Sequence, residues 1–94
     1  MSNQITKAML QSYVDGINRE VGAPAEPYTR QGKELVTNIG CHYIESAYGG
    51  FNLFKISNSG GGVFCPFGSG YMTKRELYGK LQAYYMGLAF EKNA

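Results

Sequence analysis

The chain has no tryptophan, a single histidine, two cysteines and three prolines among its 94 residues. Two cysteines, Cys41 and Cys65, do not make a disulfide framework in a chain this long, so both are expected as reduced thiols of a cytosolic protein. One histidine with two cysteines at no metal-site spacing supplies no soft-ligand cluster, so no metal is expected. His42 directly follows Cys41, and adjacent strand residues point to opposite faces, which makes the pair a poor catalytic dyad. No nucleophile motif surrounds either cysteine. The residues therefore point to a protein that is not an enzyme and needs no cofactor.

Long apolar runs are absent as well. None approaches the roughly 20 residues of a membrane span, and residues 1–21 are amphipathic with Asp15 and Glu20, unlike a signal peptide. No membrane partner is expected. A charge excess is also missing: the net charge is +2, and the nine Lys and Arg are scattered rather than gathered in a stripe. Direct DNA binding is not expected from such a surface. Seven carboxylates among nine cations equally leave no negative field for an acidic DNA mimic.

What remains is an aromatic-rich, glycine-rich globular chain, 44% hydrophobic and 17% charged. Residues 3–21 read as an amphipathic helix, with Ile5, Met9, Tyr13, Ile17 and Val21 every fourth residue and Leu10 and Val14 widening the stripe. Ser2 or Asn3 is its expected cap, and Gly22 then Pro24 end it. Gly16 within it marks a close approach by a neighbouring element. Residues 23–33 read as a connector, extended through Pro24 and Pro27 and irregular from Tyr28 to Lys33, with a turn at Gly32.

The period then changes to two. A short strand is expected from Leu35 and a stronger one from Asn38 to Tyr48, partly apolar on both faces. Gly49-Gly50 is a hairpin signal. Phe51 to Ser57 returns as a second strand, Asn58-Ser59-Gly60-Gly61-Gly62 turns again, and Val63 to Cys65 forms a third strand at the edge before Pro66. The final helix, residues 73–90, opens on Thr73 and Glu76, the S/T-x-x-E capping box, with Met72 and Leu77 placed as a hydrophobic staple. Leu77, Leu81, Tyr84 or Tyr85, and Leu88 are its buried stripe. The expected fold is thus one α+β domain: helix, residues 34–67 as a three-stranded antiparallel meander, helix.

Three features point outward. The run Gly68-Ser69-Gly70-Tyr71-Met72-Thr73-Lys74-Arg75 joins flexible backbone, free helix amides and two cations, a combination that suits an anion. It lacks Walker spacing and so is no nucleotide-hydrolysing loop. Lys74 and Arg75 oppose the helix dipole, which a bound anion or acidic partner relieves. Gly79, Ala83 and Gly87 share one helix face, which invites a second backbone: either the first helix or a second subunit. Finally, Tyr48, Tyr71, Tyr78, Tyr84 and Tyr85 exceed what so small a core hides, and tyrosine is enriched in binding interfaces.

The pattern Tyr48-Gly49-Gly50, then Ser57 to Gly62, then Thr73-Lys74-Arg75-Glu76-Leu77-Tyr78 resembles a group of small bacteriophage proteins. These share a Y-G-G turn, a glycine-rich turn and a T/P-K-R-E-L-Y helix start, and the similarity runs over residues 27–88 with order and spacing preserved. The resemblance carries over no catalytic residue. It implies a phage accessory protein made in the cytoplasm of the bacterial host, acting as a counter-defence inhibitor that blocks a host immune protein complex in the manner of an anti-CRISPR. Two alternatives accompany it. One is an oligomeric sponge for a cyclic or ADP-ribose-type nucleotide messenger, held by Lys74, Arg75 and the glycine turns with tyrosines stacked on the base. The other is a virion or assembly component. The expected binding residues are Tyr48, Gly49, Gly50, Asn58, Ser59, Gly60, Gly61, Gly62, Tyr71, Thr73, Lys74, Arg75 and Tyr78, joined in one surface.

Overall fold

In a computed structural model, which describes residues 4–92, the first helix begins at the hydroxyl of Thr6. Thr6 Oγ1 accepts the Met9 N–H at 3.2 Å, and the Thr6 N–H reaches back to Met9 Sδ at 3.5 Å. A thioether thus occupies the position that Glu or Gln usually fills in a capping box. Helix α1 runs over Lys7–Val21 and starts later than a cap at Ser2 or Asn3 implies; those two residues lie outside the described ones. It ends as expected at Gly22, whose φ of 73° lets the Gly22 and Ala23 amides fold back onto the carbonyls of Arg19 and Asn18.

Leu10, Val14 and Ile17 of α1 are buried against Leu53, Leu77 and Leu81, each worth about 2 kcal/mol of hydrophobic transfer. Val21, expected in the stripe, is 42% exposed at the end of the helix. Gly16 is a close approach, as its position in the helix implies. A Cβ there would lie 2.9 Å from Cε1 of Tyr85, so the ring sits directly on the glycine backbone.

The connector is not irregular throughout. Tyr28–Gln31 (β1) and Glu34–Thr37 (β2) form an antiparallel hairpin, pairing Tyr28 with Thr37 and Gln31 with Glu34. Gly32 takes φ 65° at the first loop position, which matches the right-handed twist of a two-residue hairpin. Its base is clamped by Asn38, whose Nδ2 donates to Glu26 O and Thr29 Oγ1, both at 2.8 Å. Every residue of β1 and β2 except Thr37 is exposed. β2 is the short strand expected from Leu35; β1 has no buried face and so no apolar alternation to read, which is why it escapes the pattern.

The second sheet is antiparallel with order β3-β4-β5: His42–Ala47, Gly50–Ile56 and Val63–Phe64. Its three strands follow the expected meander with shorter bounds, and β5 lies at the edge before Pro66. The chain then loops out and returns, so that Met72 exchanges two 2.8 Å backbone bonds with Phe51 at the other end of β4. Buried Asn52 spans the gap between, donating to Gly68 O at 2.8 Å. Helix α2, Lys74–Lys92, starts on the closed Thr73–Glu76 box: Glu76 N–H to Thr73 Oγ1 at 3.1 Å and Thr73 N–H to Glu76 Oε1 at 3.3 Å. Met72 packs against the cluster that holds Leu77.

Candidate functional site

Both helices cover the same face of the three-stranded sheet, the one carrying Ile44, Phe51 and Leu53. Tyr43 and Phe54 pair in register and, by strand alternation, belong to the other face. An antiparallel sheet covered on one side normally turns polar residues outward on the other. Here that side carries a strip of rings, half-buried except at Tyr48, beside Asn52 and Ile56, which are fully buried. Tyr43 stacks on Phe54 at 5.6 Å, Phe54 meets Tyr71 at 6.3 Å, and Tyr71 meets Tyr48 edge-on at 5.8 Å. Partial burial pushes the Tyr43 hydroxyl above its ordinary range, with Glu45 and Tyr28 adding to the shift, so it stays a neutral donor.

Tyr48 is the outermost ring, 96% exposed. It also carries the backbone strain of the hairpin. The two-residue loop is Tyr48-Gly49, one residue earlier than the Gly49-Gly50 signal implies, between the paired Ala47 and Gly50. Tyr48 has φ 53° and Gly49 φ 75°, the positive values of a type I′ turn, where Asn-Gly is the favoured pair. Gly50 instead opens β4, where a Cβ would lie 3.0 Å from Met72 O and 3.1 Å from Tyr71 Cβ. Only glycine lets the Tyr71 segment lie this close.

The helix start is near this strip but already holds its own anion. The Glu76 carboxylate accepts the Thr73 amide, and Lys74 lies over the Phe51 ring, its Nζ 5.8 Å from the centroid. Gln4, Ile5, Thr73, Lys74 and Arg75 line an open hollow of about 280 Å³ there. A cleft of about 370 Å³ opens between α1 and the sheet, lined by Lys7, Leu10, Gln11, Ile44, Ser46 and Phe51.

The expected single surface is divided. Tyr48, Gly49 and Gly50 stand at one end of β4 with Tyr71, while Asn58 to Gly62 follow its other end, seven strand residues or roughly 20 Å away. That second turn is closed on itself. Asn58 Oδ1 accepts the Gly60 and Gly62 amides at 3.0 Å, and the Gly61 amide goes to Asn58 O at 3.1 Å. With these amides taken, Ser59 and the three glycines offer no phosphate cradle. Tyr78 leaves the surface too: it is half-buried against Tyr13 of α1, with ring centroids 5.4 Å apart.

His42, read as a packed strand residue, is 1% exposed and bonds the Tyr84 hydroxyl through Nε2 at 2.9 Å. Burial, and then the charge of Lys55, lower its pKa to about 4, so it is neutral at physiological pH. Burial pushes the Cys41 thiol up, with Glu26 adding to the effect, which disfavours a reactive thiolate. Cys41 and Cys65 are both free. Among the described residues no three His, Cys, Asp or Glu side chains gather where they could share a metal ion, and no helix is long and apolar enough to cross a membrane.

Sequence reasoning finds Tyr48 and Tyr71 and misses Tyr43 and Phe54. The signal was present in a strand apolar on both faces. Only the placement of the helices tells which of those faces remains open. No family model, no curated protein and no solved structure matches the chain.

Proposed function

We propose that this protein is a non-enzymatic binding protein that docks a macromolecular partner at the exposed Tyr48 end of an aromatic strip on its three-stranded sheet. The observation that carries the reading is Tyr48. A large ring stands 96% exposed at a positive-φ position that disfavours it, supported edge-on by Tyr71 and continuous with Phe54 and Tyr43. Strain of this kind persists where the residue serves something other than the fold. Tyrosine suits an interface because it buries area while keeping a polar tip. The resemblance of the Tyr48-Gly49-Gly50 and Thr73 to Tyr78 segments to small phage proteins gives the partner class: a bacterial immune protein complex, blocked stoichiometrically in the host cytoplasm. A nucleotide sponge has less support, because the glycine amides and the helix start bind groups of the chain itself.

Affinity capture from infected bacterial cells tests the proposal, with wild type and Tyr48→Asn side by side. A host protein retained by wild type and lost with the variant is expected. Recovery of no host protein, or equal recovery with both baits, would sink it. Recovery of the protein in purified phage particles would replace it with the virion-component reading.

A further inference from the structure

The side of α2 turned away from the core mixes exposed Glu76, Lys80 and Gln82 with a row of small and apolar residues. Gly79, Ala83 and Gly87 recur every fourth residue there and are all exposed, and a Cβ built on either glycine meets nothing within 4 Å. The first-helix contact considered for this row therefore does not exist; the glycine with a close neighbour is Gly16 of α1. Beside the row stand Met86 and Phe90, 60% and 78% exposed. Glycines inside a helix lower its stability relative to alanine, and among the described residues no group occupies the space these two leave.

The ends of the row name the occupant. Continued by four residues each way, it begins at Arg75 and finishes at Glu91. Read backwards about Ala83, glycine falls on glycine and the cation falls on the anion. We infer that α2 pairs antiparallel with α2 of a second copy of this chain, about a twofold axis at Ala83. Arg75 of each copy then lies opposite Glu91 of the other, and Gly79 opposite Gly87. Both charged positions are eight residues from the axis, about 12 Å along the helix, so one register satisfies both ends. Rows at i and i+4 set the angle of the commonest helix packing, and two facing rows of glycine and alanine let the backbones approach closely, with Met86 and Phe90 of each copy flanking the contact. A parallel pair would set Arg75 against Arg75 and Glu91 against Glu91. Charge therefore selects the antiparallel one.

This face is not the one α2 turns to the core. The inference stands whether or not the protein binds a host complex.

Sedimentation equilibrium from micromolar to near-millimolar concentration is the test, with dimer expected at twice the 10.4 kDa of the chain. Ala83→Glu sets two carboxylates on the axis, in a good helix former at an exposed position, and should leave a folded monomer by circular dichroism. Arg75→Glu and Glu91→Arg should each weaken dimerisation about fivefold, and combining them in one chain should restore it. A monomer at every concentration, a dimer indifferent to Ala83→Glu, or a double exchange weaker than either single one would overturn the inference.

Discussion

Asn18 holds His42 by both backbone polar groups: its Oδ1 accepts the His42 N–H at 2.7 Å and its Nδ2 donates to His42 O at 3.0 Å. Both residues are 1% exposed. His42 opens β3, an edge strand, and the Asn18 amide does there what a neighbouring strand would do. It ties the first helix to the sheet and closes that end of the edge. Asn18→Ala leaves the buried His42 N–H unpaired and its carbonyl with only the weak Cys41 thiol donor at 3.6 Å, and should cost about 2 kcal/mol, read as a lower urea midpoint at unchanged slope. A loss below about 1 kcal/mol would mean that water replaces the amide without penalty.

Acid should weaken the fold through His42. Its pKa falls from 6.5 to about 4 on folding, so the unfolded chain binds the extra proton between those values. The contribution is complete above pH 6.5, declines as the pH falls from there to about 4, and amounts to about 3 kcal/mol. Stability against urea measured across this window should show that slope, and His42→Gln should flatten it. An equally steep profile in the variant would assign the effect to other groups.

Gly16→Ala sets two effects against each other. Alanine favours the helix by about 1 kcal/mol, but its Cβ would sit 2.9 Å from the Tyr85 ring, which is itself packed edge-on against Tyr13. Overpacking of this kind costs typically ~1–3 kcal/mol, so a net loss of about 1 kcal/mol is expected in thermal melts. A rise in Tm would show that Tyr85 moves aside freely.

Tyr48→Asn should move stability and binding in opposite directions. Asn-Gly suits the observed turn, so the variant should gain about 1 kcal/mol and roughly 5 °C in Tm, less what the Tyr71 ring contact contributes. Partner capture should fall with the same substitution. A destabilised variant would place the ring among the supports of the fold.

What local chemistry governs was legible in advance. The Thr73–Glu76 box, the Gly22 helix end and the Gly32 turn each depend on residues a few positions apart, and the structure keeps them; the meander expected over residues 34–67 is kept in part, since Glu34–Thr37 pairs in a separate sheet. The Thr6 cap was missed because its partner is a methionine, which carries no capping signature. Of the β1–β2 hairpin, the Gly32 turn and the strand from Leu35 were read, and β1 was missed because it buries neither face. Asn18 gave no sign of its role, since its partner lies 24 residues away.

The sequence by itself determined the class of fold, two helices around an antiparallel sheet, because hydrophobic period and capping are properties of short segments. Only the tertiary structure decided which surfaces stay open. The β3–β4 strands and α2 carry apolar residues on both sides, so periodicity cannot choose the covered one. That choice belongs to packing between distant segments: Leu10, Val14, Ile17, Leu53, Leu77 and Leu81 close on one another, leaving Tyr48 and the Gly79–Gly87 row exposed.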